Sequence, residues 1–270
     1  MIGVVYSTCD RPVYLSSSIK SLDCDCSKVV VVDNGTTKKE ETFKAVKNLG
    51  AIYVDGKQSN SPHAQNIGFR LLKDKVQFIL KSDDDVDYSV GYVSNLMDVL
   101  LNDSDVCAVA GITLSKFRTT PARYENGEWV CEGKSVDEQL LLYPLFSHKN
   151  LEVYSLHGGF IYRVSSAINL WEKTSFRGGP FGEYFSKYAF REESEFSFLL
   201  SMINKQKLIV VPKSGAYHYY AEGGIRDLAD SVRLMKEDEN RVKDVCESLG
   251  FTFTTAIFKR FYDELPNYTK

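Results

Sequence analysis

Val76-Gln77-Phe78-Ile79-Leu80-Lys81-Ser82-Asp83-Asp84-Asp85-Val86 sets an apolar run directly against three carboxylates. The run over 76–80 is short, β-branched and aromatic, which predicts a buried strand. Three like charges at its end repel one another, and a divalent cation held by hard oxygen ligands would neutralise them. In an open α/β sheet, ligands gather outside the carboxyl ends of the strands. The plainer alternative is an acidic turn in which an aspartate caps the following helix.

Upstream, strands are predicted over 2–7, 28–32 and 51–54, the second ending at Asp33-Asn34-Gly35. Between them lie helical patterns. One over 14–22 follows Pro12, a residue suited to a first helical turn. One over 36–49 carries a stripe of Phe43, Val46 and Leu49 and ends at Gly50. One over 63–73 turns Ile67, Leu71 and Leu72 inward. This βαβαβαβ alternation predicts a parallel sheet covered on both faces. Downstream come a helix over 90–101 and a strand over 106–112. The pattern then changes. Asn126-Gly127 within 116–133 predicts a hairpin, and strands are expected over 140–146 and 153–156. The apolar pattern resumes at His157-Gly158-Gly159-Phe160, followed by a helix over 165–171 and a glycine-rich loop over 178–182. A helix over 192–203, a strand over 208–212 leading to Tyr217-His218-Tyr219, and a charged helix over 227–250 complete the chain, with an aromatic, basic stretch over 251–262.

The 270 residues suffice for one large α/β domain, and 43% hydrophobic content provides a core. The reading is one mixed domain over 1–225, a nucleotide-type half to residue 112 and a completing half over 113–225, with a helical and aromatic extension over 226–270. A net charge of −3 gives no global attraction to nucleic acid or acidic membranes. No signal peptide or membrane span is expected. The six cysteines are scattered without a CxxC pair, so free thiols in a reducing compartment are expected.

Ser7 to Arg11, Asp33-Asn34 and Asp83-Asp84-Asp85 each follow a predicted strand, so they converge on one sheet edge. Asn66-Ile67-Gly68 opens the helix before the acidic strand. With these motifs in place, the chain resembles the inverting glycosyltransferases of the GT-A fold, family 2 type. The resemblance rests on Val4 to Pro12, Val30-Val31-Val32-Asp33-Asn34-Gly35, Asn60 to Gly68, the acidic triplet, Gly158-Gly159-Phe160, Arg191-Glu192-Glu193-Ser194-Glu195-Phe196 and His218. It covers roughly residues 2–220 in the family's order.

The resemblance implies an α/β fold of GT-A (Rossmann-like) type, a mixed, mainly parallel sheet flanked by helices. It also implies transfer of a sugar from a nucleotide-diphosphate sugar, with a UDP-sugar the expected donor. The triplet looks like a DxD motif: Asp83 and Asp85, joined by His218, would hold Mn²⁺ or Mg²⁺. Ser7, Thr8, Arg11, Asp33, Asn66, Asp83 and Asp84 would face the donor. Glu193 matches the family's catalytic base. The family usually has aspartate there, so Glu192 and Glu193 both stay candidates. The sequence departs also at Gln65, where many members carry arginine, and at Cys9, where an aromatic is common. A dication suits this chemistry because negative charge develops on the departing diphosphate, and a carboxylate suits it because the attacking hydroxyl must lose a proton. On a helix Glu192 and Glu195 share a face and Glu193 points elsewhere. The 178–182 loop would be mobile near the acceptor, and Trp171, Phe181, Tyr184, Phe185 and Tyr188 are core residues or sugar platforms.

The expected acceptor is a glycan hydroxyl. A second expectation is a hydroxymethylated base in DNA, as used by viral glycosyltransferases, with Lys116, Arg118, Arg123, Lys259 and Arg260 on phosphates. A bacterial or virus-infected cytoplasm is the expected setting. From other classes, a nucleotidyltransferase would want glycines that Ser7 to Pro12 lacks, and a non-catalytic binding module would not need the retained triplet, Glu193 and His218.

Overall fold

A computed structural model describes residues 1–22, 28–57, 59–115, 122–125, 128–131, 150–153, 155–219 and 230–251. The first half alternates as its sequence pattern demands: β1 (Ile2–Thr8), α1 (Pro12–Ser21), β2 (Lys28–Asp33), α2 (Lys39–Asn48), β3 (Ile52–Asp55), α3 (Ser61–Leu72) and β4 (Phe78–Asp83). Then follow β5 (Val86–Tyr88), α4 (Tyr92–Asn102), β6 (Val106–Ser115), β7 (Ala122–Glu125), β8 (Glu128–Cys131) and β9 (Leu151–Val153). The last elements are β10 (Phe160–Arg163), α5 (Val164–Thr174), α6 (Glu192–Asn204), β11 (Lys207–His218) and α7 (Ser231–Ser248).

The main sheet runs β3-β2-β1-β4-β10-β6-β11-β5, with β9 pairing β11. β1 to β4 are parallel, β10 is antiparallel to both β4 and β6, and β11 is parallel to β6. Strand alternation splits the core into two layers. Val5, Val30 and Val32 face a layer shared with α3, α5, α6 and α7, while Val4, Tyr6 and Val31 face one shared with α1, α2 and α4. Gly68 lets α3 approach β1, since a Cβ there would overlap the side chain of Val5. Val242 and Cys246 bring α7 into the same core as α6.

The departures from the sequence reading have local causes. Phe43 and Leu71 are exposed at 42% and 38%. α2 buries Thr42 beside the expected Val46, and α3 buries Ala64 and Phe69 beside the expected Leu72. β5 escaped prediction because it is three residues long with Asp87 at its centre. The strand expected over 153–156 lies at Leu151–Val153, and β11 runs on past Pro212 to His218. The expected hairpin is present, with Tyr124 opposite Trp129. The strand expected over 140–146 and the stretch over 252–262 lie outside the described residues, as do Lys116, Arg118, Lys259 and Arg260.

Candidate active site

Strand register builds the site. β1 and β4 pair so that Ser7 lies opposite Asp83, and β1 and β2 so that Thr8 lies opposite Asp33. The chain turns sharply after Asp83, and β5 returns to pair with the end of β11, His218 opposite Val86. The Tyr219 amide donates to the Asp85 carbonyl at 2.9 Å, locking this turn to the end of β11. A histidine 133 residues away in sequence thereby reaches Asp85, with its Nε2 2.9 Å from Oδ1.

A cavity of about 710 Å³ opens at this edge. Ser7, Thr8, Cys9, Arg11 and the acidic triplet form one wall, and residues 188–193 form the facing wall. Thr8 Oγ1 donates to Asp84 at 2.7 Å, and Arg11 Nη1 bridges Asp84 at 3.3 Å and Asp85 at 3.1 Å. Burial raises the Asp84 carboxyl to about 6, against the pull of Arg11. Burial opposes ionisation of Asp83 as well, but Lys81 and His218 hold it below the usual carboxylate range.

Lys81 is the residue that sequence reading left without a role. It is 1% exposed and its ammonium touches Asp83 at 2.9 Å, Glu192 at 3.5 Å and Glu193. A lysine inside an apolar strand, two positions before an acidic cluster, was the signal, because lysine is almost never fully buried unpaired. Despite burial, these three carboxylates hold its pKa well above the usual lysine value. Glu193 also accepts the Gly158 amide at 3.0 Å, while Glu192 accepts Ser61 Oγ at 3.0 Å. Burial raises the Glu193 carboxyl to about 8, with Lys81 opposing the shift. Replacing Lys81 with methionine strips three carboxylates of their shared cation. The expected cost is about 3–5 kcal/mol in denaturant unfolding; a loss below about 1 kcal/mol would show that the cluster is not held by this charge.

Asp83, Asp85 and His218 offer ligand atoms that all lie within 4.8 Å of one another. Two of these atoms, His218 Nε2 and Asp85 Oδ1, are hydrogen-bonded to each other at 2.9 Å. Five carboxylates, Asp83, Asp84, Asp85, Glu192 and Glu193, line the cavity with three permanent cations, Arg11, Lys81 and Arg191. The donor set, two carboxylates and one imidazole, fits a divalent ion.

Two expected donor residues lie elsewhere. Asn66 is fully buried, and its amide donates to the Phe181 carbonyl at 2.8 Å and to Glu183 while accepting the Phe181 amide at 3.0 Å. Both of its donors and one acceptor position go to the 181–183 segment, so it positions that segment, and it does not line the cavity. The glycine-rich loop is accordingly fastened: Phe181 is 1% exposed and stacks on Phe196 at 3.9 Å, and Gly179 packs against Asn66. Asp33 is also fully buried, taking the Gly35 amide at 2.8 Å and the Tyr53 hydroxyl at 3.1 Å, and Asn34 beside it lines the cavity. Of the five aromatics weighed as sugar platforms, Tyr188 lines the cavity, while Phe181 and Phe185 are core.

Glu192 and Glu195 do share the buried face of α6. Glu195 accepts the Tyr184 hydroxyl, and burial raises its pKa from 4.5 to about 8. Between those two pH values the folded chain holds a proton that the unfolded chain has released. Stability attributable to Glu195 therefore falls by about 1.4 kcal/mol per unit as pH rises through the window, and levels off above it. The glutamine variant lacks this slope, so its stability advantage over the wild type should grow between pH 5 and pH 8 in urea unfolding. A pH-independent difference would contradict the assignment.

No family model matches the sequence, and no curated relative matches it. Solved structures do match. The chain superposes on GalNAc-T7, crystallised with UDP, GalNAc and Mn²⁺, with a TM-score of 0.58 at 14% identity, covering 98% of this chain and 57% of that one. On TarS of S. aureus the TM-score is 0.57 at 14% identity, covering 100% of this chain and 44% of that one. On glucosyl-3-phosphoglycerate synthase of Mycobacterium tuberculosis, solved with Mn²⁺, UDP and glucosyl-3-phosphoglycerate, it is 0.54 at 14% identity, covering 94% and 81%. The chain spans about half the length of the first two, 57% and 44%. Likeness at this identity establishes the fold: the chain has the GT-A fold, with a mixed, mostly parallel sheet flanked by helices, as the sequence resemblance implied. Among the described residues no helix is long and apolar enough to cross a membrane.

Proposed function

We propose that the protein is a metal-dependent, inverting glycosyltransferase that moves a sugar from a UDP-sugar to a glycan hydroxyl. The observation that carries this reading is one cavity in which Asp83, Asp85 and His218 face Glu193. UDP and Mn²⁺ occur together in two of the structural neighbours.

Asp83, Asp85 and His218 would hold Mn²⁺ or Mg²⁺, and the bound ion would offset the charge that grows on the departing diphosphate. Ser7, Thr8 and Arg11 face the same part of the cavity and take the nucleotide side of the donor, with Arg11 supplying a fixed cation. Asn34 lines the cavity where the base would lie, and Asp33 supports it from behind by holding the Gly35 amide. The acceptor oxygen attacks the sugar carbon from the face opposite the diphosphate. As the new carbon–oxygen bond forms, the bond to the diphosphate breaks, and the Glu193 carboxylate takes the hydroxyl proton. Lys81 and the Gly158 amide fix the two oxygens of that carboxylate. Glu193 is preferred to Glu192 because its side chain is 17% exposed, against 8%.

Incubation of α-linked UDP-sugars with Mn²⁺ and a panel of oligosaccharides, followed by NMR of the product, tests the reading. A β-linked product is expected. An α-linked product would refute inversion, and nucleotidyl transfer in its place would refute the reaction class.

A further inference from the structure

The cavity wall that faces the acidic triplet belongs to a segment without regular structure, 184–191, that leads into α6. Two of its non-glycine residues, Ala189 and Arg191, sit at φ of 50° and 70°, in the left-handed region. Such backbone persists only where its surroundings hold it. Here the holding group comes from α7, a helix the reaction chemistry does not use. Asp238 is fully buried. Its Oδ1 accepts the Ser186 amide at 2.7 Å, and its Oδ2 accepts the Ser186 hydroxyl at 2.7 Å and the Phe190 amide at 3.0 Å. The Ser186 hydroxyl in turn accepts the Tyr188 amide at 3.1 Å. Alternate amides of the wall, at 186, 188 and 190, thus converge on one carboxylate, directly or through one hydroxyl. One turn along α7, Arg241 donates to the Tyr184 carbonyl at 3.0 Å and to Asp238 at 3.3 Å.

We propose that Asp238 is a positioning residue for the acceptor side of the site: from α7 it orders the 186–191 wall and, through it, the start of α6 that carries Glu192 and Glu193. This rests on the glycosyltransferase reading. The carboxylate is needed because it offers acceptors only, and four donors point at it, three from the wall and one from Arg241. Asparagine is nearly isosteric but turns an N–H₂ toward one of those donors. The donor wall, built from β1, β4 and the end of β11, has no contact with Asp238 among the bonds described.

The test compares Asp238→Asn with Val242→Ala, a packing change in the same helix. Amide hydrogen exchange over 186–191 should quicken by about tenfold in Asp238→Asn, as expected for loss of a charge-assisted bond, with β1 and β4 unchanged. Affinity for UDP with Mn²⁺ should be unchanged, while transfer from UDP-glucose or UDP-N-acetylgalactosamine to oligosaccharides should fall by about a hundredfold, the usual effect of a misplaced site. Val242→Ala should lower overall stability without that split. Unchanged exchange over 186–191 overturns the proposal, as does an equal loss of UDP binding and transfer in both variants. If the wild type transfers no sugar while the exchange responds as expected, the enzymatic reading fails and the wall-ordering role of Asp238 stands.

Discussion

Asp85→Ala is expected to lower Mn²⁺-dependent sugar transfer by about a thousandfold, the scale on which loss of one strong electrostatic stabiliser acts. Asp85 touches both His218 and Arg11, so it joins the candidate metal ligands to the Ser7–Arg11 wall. Its loss leaves two ligand side chains, Asp83 and His218, which present fewer oxygen donors than a hard dication prefers. The fold should not suffer. The substitution removes one of several crowded like charges, and Arg11 keeps Asp84 as a partner. Unfolding midpoints equal to or above the wild type are therefore expected alongside the activity loss. Retained activity in this variant, or wild-type activity undiminished by excess chelator, would contradict the metal role.

Glu193→Gln is expected to separate binding from chemistry. Glutamine keeps its size and one oxygen for Lys81, at the loss of the bond from the Gly158 amide, and it cannot take a proton. Transfer should fall by about 10²–10⁴, the range of a positioned general base. Affinity for UDP with Mn²⁺ should hold, because Glu193 is not one of the three candidate metal ligands and Lys81 keeps its bond to Asp83. Glu192→Gln is the control. Glu192 is bound to Ser61 and more deeply buried, so its replacement should cost less. If Glu192→Gln abolishes transfer and Glu193→Gln does not, the base lies one residue earlier.

The acidic strand end was legible because two strong local signals met there, a β-branched apolar run and three adjacent carboxylates. The parallel half was legible for the same kind of reason: period and punctuation are properties of neighbouring residues. Asp83, Asp85 and His218 were grouped through family resemblance, and register explains how they meet, since β5 carries the turn onto β11. What escaped depends on partners distant in sequence. Lys81 reads as an interruption of a strand until Glu192 and Glu193 arrive opposite it, 112 residues later for the second. Asn66, expected to face the donor, bonds instead to partners 115 and 117 residues away. Asp238 sits in a charged helix where an aspartate looks solvated, and only the approach of Ser186 and Phe190 buries it.

The most direct test of a metal-dependent UDP-sugar site is thermal unfolding of the wild-type chain with UDP alone, Mn²⁺ alone, and both together. At a hundredfold excess over its dissociation constant a ligand contributes about 2.7 kcal/mol, which for a chain of this size raises the midpoint by roughly 5 °C or more. That rise is predicted only when UDP and Mn²⁺ are both present, and it should vanish in Asp85→Ala. An equal rise with UDP in excess chelator, or none with UDP and Mn²⁺ together, would contradict the account.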